Sequence, residues 1–244
     1  MDAEQAEAAT PTVKRVLVSD ALADSGLAML QGEPDVEVDA RPDISAEELL
    51  ACIGEYDALL IRSRTQVTAE VIEKADKLQV IGRAGVGTDN IDVDAATRRG
   101  IIVMNSPTGN TISAAEHTIT MMLALSRNIA PANASMHKGE WDRKSFVGVE
   151  LYNKTLGTLG LGRVGAEVVS RARAFGMRVL ADDPYVSRQA AERLGVTLTP
   201  FDEMIEQADF ITAHVPHTRE THHRFNADAF ARMKPGVRIV NCAR

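Results

Sequence analysis

A glycine-rich turn that joins a short apolar strand to an amphipathic helix constrains this chain more than any other feature. The strand is Thr155–Leu159, and the turn has the pattern Gly160-x-Gly162-x-x-Gly165. After the helix, a second strand over residues 178–181 ends in two adjacent aspartates. Strand, glycine turn, helix and terminal acid in this order are the fingerprint of a βαβ unit that binds a dinucleotide.

Each glycine has a separate role in such a unit. Gly160 permits the tight turn, Gly162 lets the backbone approach a pyrophosphate, and Gly165 lets the helix pack closely on the strand. The helix N-terminus adds N–H groups and the positive end of its dipole. Asp183 lies where a carboxylate accepts hydrogen bonds from ribose hydroxyls and repels a 2′-phosphate, so we predict NAD rather than NADP as the cofactor. The alternative is a βαβ unit that uses its glycines only for packing.

The composition is ordinary for a globular protein, with 45% hydrophobic and 25% charged residues. The net charge of −7 and the lack of a basic block argue against a nucleic-acid or anionic-membrane partner, and no apolar run is long enough to span a bilayer. Residues 1–12 are acidic and alanine-rich, so we expect a disordered tail rather than a secretory signal. Cys52 and Cys242 lie in unrelated contexts, which favours reduced thiols and a cytoplasmic location.

Strand and helix signals alternate from Val13 onward and predict an α/β fold with mostly parallel strands. Ser45 and Glu48 form a capping box at the start of one helix. The strands predicted in the first unit are residues 15–19, 36–39, 58–62, 79–82 and 101–105, and the helices are 25–31, 45–53, 68–75 and 92–99.

A break at residues 106–110 separates a second unit from the first. Beyond it, residues 112–130 read as one long apolar helix, and Pro131 disturbs its end or marks a second segment. Such a helix is expected to be buried on most sides, at a domain junction or a subunit interface. Further strands are predicted at 195–198, 210–213 and 237–242. Because a full dinucleotide fold has two mononucleotide halves, we expect the second unit to be incomplete at its C-terminal end.

With these features in view, the chain resembles the D-2-hydroxyacid dehydrogenase family over residues 14–244. The resemblance implies a flavodoxin-like substrate domain over residues 13–108, followed by an incomplete Rossmann NAD-binding domain over 109–244. It rests on the glycine fingerprint and on LLIRSRTQVTAEVI, KLQVIGRAGVGTDNIDVDAATRRGIIVMNSP, GNTISAAEHT and PGVRIVNCAR. The RSRT and GRAGVGTDNID stretches favour the members whose substrate is D-3-phosphoglycerate.

The resemblance also implies a set of substrate-binding residues. Arg62, Ser63 and Arg64 follow a strand, and two arginines suit a substrate that carries both a carboxylate and a phosphate. The alternative is that these arginines are solvated surface charges. Arg83 and Gly85 follow another strand, where backbone N–H groups form a carboxylate nest or simply a turn. By the same resemblance, Arg143 or Lys144 adds a cation to the site of a neighbouring subunit.

The family's cofactor contacts fall mainly around the glycine turn and after two later strands. His214 matches a cofactor contact rather than a proton-transfer group, and His117, on the apolar helix, reads as a structural histidine. His217, His222 and His223 read as polar loop residues, so no metal is predicted. The cofactor-binding residues implied by the resemblance are Val86, Gly160, Gly162, Arg163, Val164, Gly165, Asp183, His214, Val215, Pro216, Cys242, Ala243 and Arg244.

The reaction implied is hydride transfer from C2 of 3-phosphoglycerate to NAD, giving 3-phosphohydroxypyruvate, the first step of serine biosynthesis. Arg244 matches the family's catalytic arginine, whereas its glutamate and histidine lie downstream of this sequence. We therefore expect little activity from these 244 residues alone.

Trp141 is either an interface anchor or an ordinary core residue. Together with the apolar helix it favours a homodimer or a higher oligomer.

Two other functions remain open. One is a different 2-hydroxyacid dehydrogenase, such as a glyoxylate or hydroxypyruvate reductase, against which Arg62 and Arg64 argue because a substrate without phosphate needs less positive charge. The other is a non-catalytic NAD-binding or dimerising module.

Overall fold

The computed structural model describes residues 13–243, and the chain divides into two units, Met1–Gly109 and Asn110–Arg244. The tail expected at residues 1–12 and the catalytic residue expected at 244 lie outside the described residues. Both units are α/β with all-parallel sheets, which confirms the predicted fold class.

The first unit contains a five-stranded sheet with the order β2-β1-β3-β4-β5, the order of flavodoxin-like folds. Its strands are β1 (Lys14–Val18), β2 (Val36–Ala40), β3 (Ala58–Ile61), β4 (Val80–Arg83) and β5 (Ile102–Asn105). Its helices are α1 (Asp24–Gln31), α2 (Ala46–Cys52), α3 (Ala69–Lys74) and α4 (Val93–Arg98), with a single 3-10 turn at Ile53–Glu55.

Apolar side chains of the central strands form the core of this unit. Leu17, Leu59 and Ile81 are almost fully buried and pack with Leu49 of α2 and Ile72 of α3. Strands that are covered on both faces carry such continuous apolar runs.

The capping box at the start of α2 is confirmed. The Ser45 hydroxyl accepts from the Glu48 amide, and the Glu48 carboxylate accepts from the Ser45 amide. It fixes where the helix begins, because it satisfies two amides that have no partner inside the helix.

The second unit contains a five-stranded sheet with the order β10-β9-β6-β7-β8. Read from β8 to β10, with β6 as the first strand of the unit, this is the 3-2-1-4-5 part of the doubly wound dinucleotide-binding order. Its switch point lies between β6 and β9. The strands are β6 (Thr155–Leu159), β7 (Arg178–Asp182), β8 (Thr197–Leu198), β9 (Phe210–Ala213) and β10 (Arg238–Asn241). The helices are α5 (Thr111–Ser126), α6 (Ile129–His137), α7 (Arg163–Ala174), α8 (Arg188–Arg193), α9 (Phe201–Gln207) and α10 (Ala227–Arg232).

Successive residues of the central strands pack on opposite faces of this sheet. Val179 and Phe210 belong to the cluster that includes α5 and α7, whereas Leu180 and Ile211 belong to the cluster that includes α9 and α10. This alternation follows from the two-residue period of a strand. Because both faces are covered, ligand-binding groups are left to the edge where the strands end.

The single long helix expected over residues 112–130 is wrong. Helix α5 ends at Ser126, and α6 starts at Ile129 after Asn128, which has a left-handed backbone with φ of 52°. Asparagine tolerates this conformation better than most residues, so the chain turns there. Pro131 lies in the first turn of α6, where no intrahelical N–H donor is needed, so it marks a second segment.

Three further expectations differ from the structure. The strand predicted at 195–198 is reduced to Thr197–Leu198, because Gly195 is in a turn with φ of 69°. Trp141 is 77% exposed, so the reading as a core residue is wrong. His117 lies on an exposed position of α5 and is not the structural histidine expected.

Across residues 13–243, no helix combines the length and apolar character needed to cross a membrane.

Candidate functional site

A cavity of about 730 Å³ lies at the carboxyl edge of the second sheet. It has the size of a typical small-molecule site, and it lies at the switch point between β6 and β9, where doubly wound folds bind their ligands. It is lined by Leu159, Gly160, Gly162, Asp182, Asp183, Pro184, Tyr185, Val186, Pro200, Phe201, Asp202, His214, Val215, Pro216, Thr218, Glu220, Thr221 and Arg224.

The glycine turn at this cavity has the geometry of a dinucleotide cradle. Gly160 has φ of 93°, and a Cβ there would lie 2.8 Å from Val215 Cγ1. A Cβ on Gly165 would lie 2.3 Å from the carbonyl oxygen of Gly160, so α7 packs against the turn without room for a methyl group. Gly162, the N-cap of α7, has open space around its Cβ position. That space lies at a helix N-terminus, where a phosphate is stabilised.

Arg163 and Val164 begin α7 directly after the turn. Arg163 is exposed and Val164 is half-buried. Neither lines the cavity, so their contact with a pyrophosphate stays a prediction.

Asp183 is half-buried just after β7. Its two carboxylate oxygens accept from the amides of Leu161 at 2.8 Å and Tyr185 at 2.9 Å. A carboxylate has roughly four lone-pair sites, so acceptor capacity remains for ribose hydroxyls. The two amides hold the side chain in place at the cavity wall.

His214 follows β9 and lines the same cavity. Its Nε2 is buried, and none of the described residues forms a hydrogen bond with it. Burial lowers the pKa of His214 to about 4, so the imidazole is neutral near pH 7. A neutral ring with an unpartnered nitrogen suits ligand binding better than proton transfer near neutral pH.

A smaller cavity of about 200 Å³ shares Leu159, Val215 and Pro216 with the first. It reaches Ala243, one of the expected cofactor-binding residues after β10. Cys242 is half-buried and packs against the core instead. The two cavities and the cradle therefore bring together most of the predicted cofactor residues of the second unit.

In the first unit, the loop after β3 is organised by Asp20. The buried carboxylate accepts from the amides of Arg62 at 2.6 Å and Thr65 at 3.2 Å, and from the Thr65 hydroxyl at 2.7 Å. Burial alone would raise the pKa of Asp20, but these hydrogen bonds and the charge of Arg64 hold it below its ordinary value. Asp20 is therefore an anion that shapes the predicted substrate loop.

The guanidinium of Arg64 is engaged inside this unit. It donates to the carbonyls of Ile44 at 3.1 Å, Ser19 at 2.6 Å and Pro42, and it pairs with Asp20 at 3.3 Å. Carbonyls from two separate loops therefore engage most of its donors, and its contact with a substrate stays a prediction. Arg62 and Ser63 are exposed, and Arg62 makes one long bond, 3.3 Å, to the carbonyl of Ala21.

Asn90 connects the two predicted substrate-binding segments. Its amide nitrogen donates to the carbonyls of Arg62 at 2.8 Å and Thr65 at 2.6 Å, and its oxygen accepts from Nε of the buried Arg83 at 2.7 Å. The Gly85 amide donates back to the Arg83 carbonyl at 2.8 Å, which is a turn rather than an open nest.

Val86, a predicted cofactor residue, is half-buried, and its carbonyl accepts from the side chain of Asn105 at 2.6 Å. Arg143 is exposed in the loop after α6 and lines a small cavity of about 180 Å³ with Trp141 and Phe146. Both roles stay predictions.

Several site residues escaped the sequence reasoning. Asp20 directly follows a strand, the same signal that pointed to Arg62. Asn90, Phe201 and Arg224 carry no local signal, because their partners are distant in the chain. Among residues 13–243, no three His, Cys, Asp or Glu side chains are grouped to hold a metal ion.

Comparison with protein families gives a match over residues 119–244, to the NAD-binding domain of the D-isomer specific 2-hydroxyacid dehydrogenases. Curated relatives named D-3-phosphoglycerate dehydrogenase are also similar. The protein of Synechocystis is 48% identical over 96% of this chain and 42% of the relative. That of Methanocaldococcus jannaschii is 52% identical, over 94% of this chain and 44% of the relative. That of Homo sapiens is 47% identical, over 95% of this chain and 43% of the relative. The chain thus spans less than half the length of these relatives.

Solved structures show the same fold. The TT0316 protein of Thermus thermophilus has a TM-score of 0.85 and 32% identity, over 94% of this chain and 74% of that one. A D-lactate dehydrogenase of Aquifex aeolicus, solved with NAD and lactic acid, has a TM-score of 0.83 and 29% identity, over 94% and 69%. The family match, the fold and the glycine cradle agree, and the chain belongs to the D-isomer specific 2-hydroxyacid dehydrogenases.

Proposed function

We propose that this chain carries the substrate- and NAD-binding units of an enzyme that oxidises D-3-phosphoglycerate to 3-phosphohydroxypyruvate, the first step of serine biosynthesis. The observation that carries the proposal is the identity of about half to relatives of that name across nearly the whole chain. The free thiols of Cys52 and Cys242 favour a cytoplasmic enzyme.

The residues of the second unit are suited to hold NAD. Gly162 leaves open space for a pyrophosphate at the N-terminus of α7, while Gly160 and Gly165 allow the close packing of the turn. Asp183 has acceptor sites left for ribose hydroxyls. His214 offers a buried nitrogen without a protein partner among the described residues. When bound, the nicotinamide supplies the hydride acceptor.

The first unit is proposed to bind the anionic substrate. Arg62 is exposed in the Asp20-shaped loop and makes only one long hydrogen bond, so its guanidinium is available to the phosphate or the carboxylate. Arg64 is proposed to hold the loop instead, since its donors are engaged by backbone carbonyls. Ser63, Arg83, Gly85 and Arg143 are kept as proposed neighbours of the substrate.

Titration calorimetry with NAD present tests this function. We expect D-3-phosphoglycerate to bind at least about tenfold more tightly than D-glycerate, which differs only by the phosphate, because one charge-assisted contact contributes roughly that factor. Arg62→Met should remove most of this difference and leave the melting temperature unchanged.

Arg64→Met is the matched control. It should lower the melting temperature, because three carbonyls and the buried Asp20 lose a charged partner. Equal affinity for the two acids would refute the phosphorylated substrate and favour a hydroxypyruvate or glyoxylate reductase. If Arg64→Met binds D-3-phosphoglycerate more weakly at an unchanged melting temperature, Arg64 contacts the substrate directly.

We also propose that two or more copies associate through the surface of α5, α6 and the following loop. Monomers rarely expose so many large apolar side chains in one region: Ile112, Met121, Leu125, Ile129, Met136, Trp141 and Val147. In sedimentation velocity, the chain should run as a dimer or larger, and Trp141→Gln should shift it toward monomer. A wild-type chain that sediments as a monomer would contradict the proposal.

A further inference from the structure

An ion pair that lines the large cavity beside Asp183 involves a residue outside the glycine fingerprint. Asp182 is the last residue of β7, and Arg224 lies in the loop that precedes α10. Their Oδ2 and Nη2 atoms are 3.0 Å apart. The Arg224 guanidinium also lies over the ring of Phe201, 4.3 Å from its centroid. All three residues line the cavity next to Asp183.

Arg224 is the one permanently positive side chain among the described residues that line this cavity. Four carboxylates share the same wall, those of Asp182, Asp183, Asp202 and Glu220. The cavity is therefore acidic, although the cofactor proposed to bind in it is an anionic dinucleotide. The position and pairing of the Arg224 guanidinium therefore affect how strongly this cavity attracts a phosphate group.

Asp182 restrains that guanidinium. Its side chain is only 24% exposed, so its ion pair with Arg224 is partly shielded from solvent. Burial raises the pKa of Asp182, and so do the nearby charges of Asp183 and Asp202, while Arg224 opposes them. The guanidinium also makes a cation–π contact with the Phe201 ring. Together, the ring and Asp182 leave the Arg224 side chain few alternative positions.

We propose that Asp182 and Arg224 form a cofactor-specificity pair in the NAD cavity. Asp182 keeps the only guanidinium of the described wall away from a 2′-phosphate, which excludes NADP, while the pairing offsets one of the carboxylates that repel NAD. Guanidinium groups are the usual partners of a 2′-phosphate in such folds, so the free energy of binding depends on whether Arg224 is restrained. The inference rests on the proposed binding of NAD in this cavity.

Dissociation constants for NAD and NADP, measured on the full chain and three variants, test the pair. In Asp182→Asn the guanidinium is released, and we expect NADP to bind about tenfold more tightly while NAD changes by less than about threefold. In Arg224→Met Asp182 loses its partner and the cavity lining keeps its four carboxylates without a cation, so NAD should bind about tenfold more weakly. The double variant should return NAD affinity to within about threefold of wild type, without a gain for NADP.

Asp202→Asn is the matched control. It removes one carboxylate from the same wall but leaves the pair intact, because Asp202 bonds to Arg232 at 2.8 Å. A gain for NADP in Asp202→Asn equal to that in Asp182→Asn would overturn the inference, since net charge alone would then explain it. An unchanged NAD/NADP preference in Asp182→Asn would also overturn it, even if Arg224→Met failed to fold. A wild-type chain that binds neither dinucleotide would refute the NAD site itself, and this inference with it.

Discussion

Replacing Gly165 with alanine is expected to lower the free energy of unfolding by about 3 kcal/mol, the upper part of the usual range for overpacking. The new Cβ would lie 2.3 Å from the Gly160 carbonyl oxygen. That oxygen belongs to backbone, and the Gly160 amide is bonded to the Asp182 carbonyl at 2.9 Å. Neither side can move without separating α7 from β6, so urea denaturation should show the full loss.

Gly162→Ala provides the contrast within the same turn. Its Cβ would meet no atom within 4 Å, and its φ of −62° is open to any residue. We expect the unfolding free energy to stay within about 0.5 kcal/mol of wild type and NAD binding to weaken at least about tenfold, because the methyl group occupies the space for the pyrophosphate. Equal destabilisation by both substitutions would show that the turn relaxes as a whole and that the 2.3 Å approach at Gly165 is not decisive.

The free energy of unfolding is expected to fall by roughly 3 kcal/mol between pH 6.5 and pH 4 because of His214. Burial lowers the pKa of this imidazole from its ordinary value of 6.5 to about 4. Above pH 6.5 the ring is neutral in both states and contributes no pH dependence. As the pH falls toward 4, His214 is protonated in the unfolded chain but stays neutral in the folded chain. The unfolding free energy therefore falls in this window, and His214 contributes little further loss below pH 4.

Carboxylates also titrate at the lower end of this window. The contribution of His214 is therefore measured as the difference between wild type and a variant that lacks its ring. The urea midpoint of wild type should drop more steeply with falling pH than that of His214→Asn, which keeps a polar side chain without a titrating ring. His217→Gln is the control, because His217 is an exposed loop residue and its removal should leave the steep fall in place. Parallel profiles for wild type and His214→Asn would show that the ring gains a proton without unfolding.

Features that depend on neighbouring residues were predictable. The glycine turn, the Ser45–Glu48 capping box and the position of β9 follow from local backbone preferences and short-range hydrogen bonds. The helix break at Asn128 is also local, but a left-handed asparagine is one conformation among several for that residue. The apolar pattern alone could not place it.

Features that depend on distant residues were not predictable. Arg64 reads as a substrate ligand in sequence, yet its guanidinium meets carbonyls from residues 19, 42 and 44. Those loops come together only because β1 and β3 pair in parallel and end at the same edge of the sheet. A long cationic side chain bonds to whichever carbonyls the topology brings near it.

By itself, the sequence determined the two-unit α/β fold class, the family and the dinucleotide cradle, because strand period, glycine conformation and helix capping act over a few residues. Tertiary structure alone decided which charges face the ligand. Asp182 and Arg224 stand 42 positions apart and meet where β7 and the loop after β9 reach one edge. Ion pairing and burial depend on distances in space, and those distances are set by the order of the strands in the sheet.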